Sequence, residues 1–228
     1  MKLCSLFSGG KDSMMALYRA LAEHEVPVLL SMIPKSSESY MYHVPNINLT
    51  EYSANAIGIP LVIKETSGIP PQENLDLKVA LREVRDEFNI DGITTGAVRS
   101  NYQYNIISEI CRELNLKVYA PYWQKSHALL IRDAINAGFE ILVVGVAAHG
   151  MDESWLGRRL DLEVLNEIIK LSDKFGIDIG GEGGEYETLV VDGLIFRKRI
   201  KILKSSKKWE GVRGELIIDK VELVEKEK

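Results

Sequence analysis

Leu6-Phe7-Ser8-Gly9-Gly10-Lys11-Asp12-Ser13-Met14 is the stretch on which the reading of this chain turns. Before it, Leu3-Cys4-Ser5-Leu6-Phe7 is an apolar run that predicts a buried strand. After it, Met14 to Leu21 predicts a helix. A strand, a glycine-rich turn and a helix start, in that order, bring free backbone N–H groups and the positive end of a helix dipole to one point. That point suits a phosphate. The glycines let the backbone approach anionic oxygens, Lys11 adds a full charge, and Ser8 and Ser13 add hydroxyl donors. The plainer reading is a Gly-Gly turn with Asp12 or Ser13 capping the helix.

Two common phosphate loops are excluded by the spelling. A Walker loop needs glycine six residues before its lysine and Ser or Thr directly after it, where this chain has Ser5 and Asp12. A dinucleotide fingerprint lacks its third glycine. The order Ser-Gly-Gly-x-Asp-Ser resembles instead the pyrophosphate loop of the ATP pyrophosphatases, which split ATP into AMP and pyrophosphate.

Outward from the loop, strands and helices alternate. Strands are predicted at 26–33, 60–63, 92–98 and 117–120, and helices at 50–57, 72–88 and 106–114, with a polar loop over 34–48. Such alternation argues an α/β fold with a parallel five-stranded sheet covered on both faces, and ligands in such sheets bind beyond the carboxyl ends of the strands. The pattern changes after Pro121-Tyr122-Trp123. Helices are predicted at 128–136 and 162–175, and strands at 141–146, 188–191, 195–203 and 215–223. The expected division is residues 1–124 for the loop-bearing domain and 125–228 for a second, smaller α+β domain.

Bulk properties narrow the function classes. The 228 residues carry a net charge of −5, against the basic surface that broad nucleic-acid binding needs. No apolar run reaches the ~18 residues of a membrane span, and Met1-Lys2-Leu3-Cys4 shows no signal-peptide pattern, so a cytoplasmic protein is expected. Cys4 and Cys111 form no CxxC pair and read as small buried apolar groups. Arg197, Lys198, Arg199, Lys201, Lys204, Lys207 and Lys208 read as charges blunting an exposed sheet edge rather than an RNA patch.

A second stretch, Gly180-Gly181-Glu182-Gly183-Gly184-Glu185-Tyr186-Glu187-Thr188, is poor material for helix or strand. Its carboxylates suit a cation, either Mg²⁺ or an amine, the alternative being a solvated acidic loop. Taken with Ser8–Ser13, and with His43-Val44-Pro45-Asn46 and Gly96-Ala97-Val98-Arg99-Ser100-Asn101-Tyr102-Gln103 between, it resembles the diphthine–ammonia ligase family. The resemblance spans nearly the whole chain. One departure is Asn101, where many relatives have an acid before the Tyr-Gln pair.

The resemblance implies an adenine-nucleotide hydrolase-type, Rossmann-like domain followed by a family-specific one. It implies amidation of diphthine, a modified histidine of elongation factor 2, by ATP and ammonium through an acyl-adenylate. ATP would lie against Ser8, Gly9, Gly10, Lys11, Asp12, Ser13, Met32, His43, Gly96 and Ala97. Lys11, Asp12, Glu182 and Glu185 would be catalytic, with Mg²⁺ on Asp12 and Glu182. The acceptor would meet Asn46, Ser100, Tyr102, Gln103, Trp155, Arg158, Glu185, Tyr186, Glu187 and Thr188. For His43 and Asn46 the alternative is a polar surface loop, and for Trp155 a core anchor. The competing functions are a tRNA-modifying adenylating enzyme of the same superfamily and a non-catalytic ATP sensor. A homodimer is compatible, and an archaeal source is expected because eukaryotic members carry further domains.

Overall fold

The computed structural model describes residues 1–35 and 46–226. Strands β1 (Lys2–Leu6), β2 (Glu25–Pro34), β3 (Leu61–Thr66), β4 (Gly92–Thr94) and β5 (Lys117–Tyr119) pair in parallel in the order β3-β2-β1-β4-β5. Alternate residues serve opposite faces. Leu3, Phe7 and Leu29 pack on one side, and Cys4, Leu30, Met32 and Ile93 on the other. Helices α3 (Gln72–Phe88) and α4 (Asn101–Glu113) cover the second face through Leu77, Leu81, Val84, Ile107 and Ile110. The first face is covered by α1 (Lys11–Glu23), α2 (Thr50–Ile57) and α5 (His127–Asn136).

The later chain forms an antiparallel sheet of β6 (Glu140–Val146), β7 (Tyr186–Asp192), β8 (Lys198–Trp209) and β9 (Gly214–Glu225), in the order β7-β6-β9-β8, with α6 (Leu162–Phe175) against it. Leu3, Met14 and Leu17 belong to the same apolar cluster as Ile131, Ile141, Val143, Leu165 and Leu189, so the two sheets share a core. The chain leaves the central β1 first to one side and later to the other. That reversal opens a crevice between the turns that follow β1 and β4.

The five-stranded parallel sheet and the smaller α+β part agree with expectation; three boundaries depart from it by four residues or more. β4 stops at Thr94 instead of residue 98, because the chain peels off the sheet toward the β1 turn. α4 starts at Asn101 instead of 106, since Ser100 Oγ accepts from the Gln103 N–H at 3.3 Å and caps it. β8 runs to Trp209 instead of 203; its polar end is held by the ladder to β9. β8 is an edge strand, and its basic residues pair across it, Lys198 with Glu225 at 2.9 Å and Lys204 with Asp219 at 3.8 Å.

Cys4 and Cys111 are both buried and unpaired, and burial pushes the Cys111 thiol up to about 12. Among the described residues no helix is long and apolar enough to cross a membrane.

Candidate active site

The turn after β1 is shaped by backbone and hydroxyl groups. Gly9 has φ +79°, a left-handed conformation that glycine adopts without a Cβ clash. Gly10 is the N-cap of α1, and a Cβ there would sit 3.2 Å from the Thr188 carbonyl oxygen. The Ser8 N–H donates to Ser13 Oγ at 3.2 Å, and Ser13 Oγ donates to the Gly10 carbonyl at 3.1 Å. From the other sheet, Thr188 Oγ1 accepts the Lys11 N–H at 3.1 Å, and the Val190 N–H donates to the Gly9 carbonyl at 3.0 Å. β7 thus grips the loop of β1.

Lys11 turns inward. It is 3% exposed, and its Nζ donates to the Gly180 carbonyl at 2.5 Å and to Asp12 Oδ2 at 3.0 Å, with the Tyr186 ring centroid 5.1 Å away. Burial works against its charge. The Asp12, Tyr186 and Glu187 side chains outweigh that and hold the ammonium above the ordinary lysine range. Asp12 Oδ1 is buried and has no hydrogen-bond partner among the described residues.

The turn after β4 rests directly on this loop. A Cβ at Gly96 would lie 2.6 Å from the Asp12 carbonyl carbon and 2.7 Å from the Ser13 nitrogen. Beyond it, the Val98, Arg99 and Ser100 N–H groups all donate to Glu182 Oε1, at 3.2, 2.8 and 3.1 Å. Three amides at a helix start make a fitting seat for a carboxylate. Its other oxygen faces His127, with Nε2 to Oε2 at 3.6 Å, a charge contact too long for a hydrogen bond. His127 Nδ1 lies 3.2 Å from Asp178 Oδ1. Gly180 has no Cβ because the imidazole fills that place; one would come within 2.3 Å of His127 Cδ2.

This group is charged throughout. Burial lowers the His127 pKa, but Asp178 and Glu182 more than reverse that and push it up to about 9. Burial raises Asp178, and His127 and backbone donors bring it down to about 2. Glu182 is held below the usual carboxylate range in the same way, against the cost of its burial, by His127 and the Arg99 and Ser100 amides. Glu185 folds back on its own loop, accepting from the Asp178 N–H at 3.0 Å and the Gly183 N–H at 2.8 Å. Glu187 differs. Burial pushes its carboxyl up to about 7, opposed by Lys11 and reinforced by the Asp12 and Glu185 charges.

The other expected residues divide. Ala97 is 4% exposed beside the loop, and Tyr102 lies 48% exposed at the start of α4 near Gln103. Met32 is 4% exposed, its side chain packed in the cluster under α3 and α4. His43 lies outside the described residues. Asn46 tethers its segment to β9: its Nδ2 donates to the Leu216 carbonyl at 2.9 Å and its Oδ1 accepts the Ile218 N–H at 3.1 Å. Trp155 is 6% exposed in the shared core, and Arg158 stacks on it and forks onto Glu167 at 2.8 and 2.5 Å. Tyr186 is 1% exposed, its hydroxyl donating to the Ile179 carbonyl at 2.6 Å. His127 and Asp178 are the residues that sequence reasoning missed. A lone His after Ser126 at a helix start carries no pattern that would single it out.

Comparison with known proteins gives consistent relatives. The family models described as "Diphthamide synthase N-terminal domain" and "Diphthamide synthase C-terminal domain" match residues 1–118 and 126–224. The rat protein named "Diphthine--ammonia ligase" is 32% identical over 222 residues, covering 89% of this chain and 83% of that one. The human protein of the same name is 32% identical over 88% of this chain and 82% of its own. In the Schizosaccharomyces pombe protein of that name, 31% identical, the match covers all of this chain and 40% of the relative. Among solved structures, a "predicted subunit of tRNA methyltransferase" from Methanocaldococcus jannaschii aligns with a TM-score of 0.47 and 18% identity, over 85% of this chain and 98% of that one. With both of its halves matched in order and its relatives similar across their shared length, this chain belongs to the diphthamide synthase family.

Proposed function

We propose that the protein amidates diphthine on elongation factor 2, using ATP and ammonium and releasing AMP and pyrophosphate. The observation that carries this reading is the loop itself. Its N–H groups and hydroxyls gather at the start of α1, in a chain whose relatives bear the name of that ligase. A carboxylate is a poor acylating agent, because oxide would have to leave. Adenylation replaces oxide with AMP, at the expense of the bond between the α- and β-phosphates; ammonia then displaces AMP and an amide remains. The catalyst must hold the departing pyrophosphate and keep the two reacting groups in line.

Gly9, Gly10, Ser8 and Ser13 supply the pyrophosphate's donors. Lys11 contributes by fixing Gly180 and Asp12. Mg²⁺ binds through one or two carboxylates together with substrate phosphates, and the buried, unpartnered Asp12 Oδ1 fits such an ion. Glu182 does not, since three amides already occupy its oxygen. Bound at Asp12, the ion supplies neutralisation of phosphate charge. Glu187, titrating at about 7, is matched to taking a proton from ammonium so that the free amine attacks. Residues 125–228 would present the acceptor, with Tyr102 and Gln103 at the rim. The reaction partners, elongation factor and ammonium, point to the cytoplasm.

Incubation with ATP, ammonium and diphthine-bearing elongation factor is expected to yield AMP in step with the amide. Release of ADP excludes the mechanism, and tight ATP binding with no product over hours would establish the sensor instead. The tRNA-modifying alternative is not favoured, because the named relatives are diphthine ligases.

A further inference from the structure

The site closes into a ring. Lys11 holds the Gly180 carbonyl, and Gly180 lies against the His127 imidazole. His127 faces Glu182, Glu182 gathers the amides of 98–100, and Gly96 rests on the backbone of Asp12 and Ser13, beside Lys11 again. One link is held by charge alone: His127 Nε2 is buried, has no hydrogen-bond partner among the described residues and stands 3.6 Å from Glu182 Oε2.

We propose that His127 is a positioning residue for nucleotide binding, whose imidazolium keeps Glu182 seated in the amide nest and thereby sets the Gly96–Gln103 turn against the pyrophosphate loop. The proposal rests on reading that loop as an ATP site. Charge is essential to the link for a geometric reason. A neutral imidazole has one N–H and one lone pair. If the proton stays on Nδ1 toward Asp178, a lone pair points at the Glu182 carboxylate; in the other tautomer it points at Asp178. Only the doubly protonated ring serves both. Asp178 reinforces the arrangement from behind, accepting the Gly180 N–H at 2.7 Å and the Glu182 N–H at 3.3 Å. The charged groups facing His127 are Asp178 and Glu182 in contact, with Lys11 beyond Gly180.

ATP affinity, measured by equilibrium dialysis on the whole chain without ammonium or acceptor, tests this between about pH 8 and about pH 10. Glu187 titrates below that window, and Lys11 is held above the ordinary lysine range of about 10.4. The wild type is expected to lose about tenfold in affinity as the imidazolium, at about 9, deprotonates. His127→Gln should bind roughly ten- to a hundredfold more weakly at the lower pH, with no slope, as when an outer partner of a site is removed. His127→Lys, which keeps a cation across the window, should recover much of the affinity and also lose the slope. His127→Gln with wild-type affinity and slope would overturn the proposal. Should that variant fold poorly, Glu182→Gln serves: its carbonyl still accepts from the nest but offers no charge, so the slope should vanish in a folded protein, and its persistence counts against the proposal. A wild type that binds no ATP at any pH defeats the nucleotide reading itself, and this inference with it. Binding that is intact but indifferent to His127 defeats this inference alone.

Discussion

Residues 8–13 and 178–187 are both glycine-rich and charged, and they lie against each other, yet they differ in how fully their carboxylates are paired. The first leaves its N-cap without a side chain and keeps one buried Asp12 oxygen without a partner among the described residues. The second satisfies itself: Glu182 is seated in an amide nest, Glu185 on its own loop and Asp178 on His127. Glu187 differs, its carboxyl pushed up to about 7 by burial. The glycines differ in kind too. Gly9, Gly181 and Gly184 take positive φ, whereas at Gly96 and Gly180 other atoms fill the Cβ position. A motif's composition therefore does not say whether its charges await a ligand or already hold the protein together.

The contrast can be broken most severely at Glu182. Alanine there leaves three amides and a buried imidazolium without their anion, and about 2–4 kcal/mol of unfolding free energy should be lost in urea titrations. That is the lower side of the range for a broken buried pair, because the side chain keeps 21% exposure. The sign with pH follows from His127. Its folded pKa is raised, so its contribution is complete below about 6.5 and fades as pH rises through about 9, and Glu182→Ala should flatten that fall. A variant as stable as wild type would make the acidic loop a solvated one after all.

Gly96→Ala comes next. Its methyl meets the Asp12–Ser13 backbone, so about 1–3 kcal/mol of overpacking cost is expected, seen as a lower Tm, together with loss of ATP binding. Unchanged binding would detach the β4 turn from the site. Glu187→Gln should act in the other direction. The raised carboxyl pKa means that the folded state binds the proton more readily, so wild-type stability falls as pH rises from about 4.5 through about 7. Above that, the glutamine variant should be more stable by on the order of 1–2 kcal/mol while turnover with ammonium drops. Thr188→Val is the mildest: loss of the bond from the Lys11 N–H should cost about 1 kcal/mol and weaken ATP binding modestly. A stability change without any change in binding would confine β7 to scaffolding.

The parallel sheet and the pyrophosphate loop were legible in the sequence because both depend on neighbours in the chain: apolar runs, two glycines and a helix start. The partners of Glu182 were not, since Val98–Ser100 and His127 lie more than fifty residues away and only the packing of the two sheets brings them together. Trp155 and Arg158 have the composition of a recognition lip, but Trp155 is buried in the shared core and the half-buried Arg158 is paired with Glu167. The far half of β8 lacks an apolar rhythm because, at an edge, backbone pairing rather than side-chain burial keeps it extended.

The bond from the Val190 N–H to the Gly9 carbonyl places an observer of the phosphate turn in the opposite half of the molecule. Amide exchange at Val190 should slow when nucleotide stiffens residues 8–10, so a single proton in the antiparallel sheet reports occupancy without any label near the chemistry.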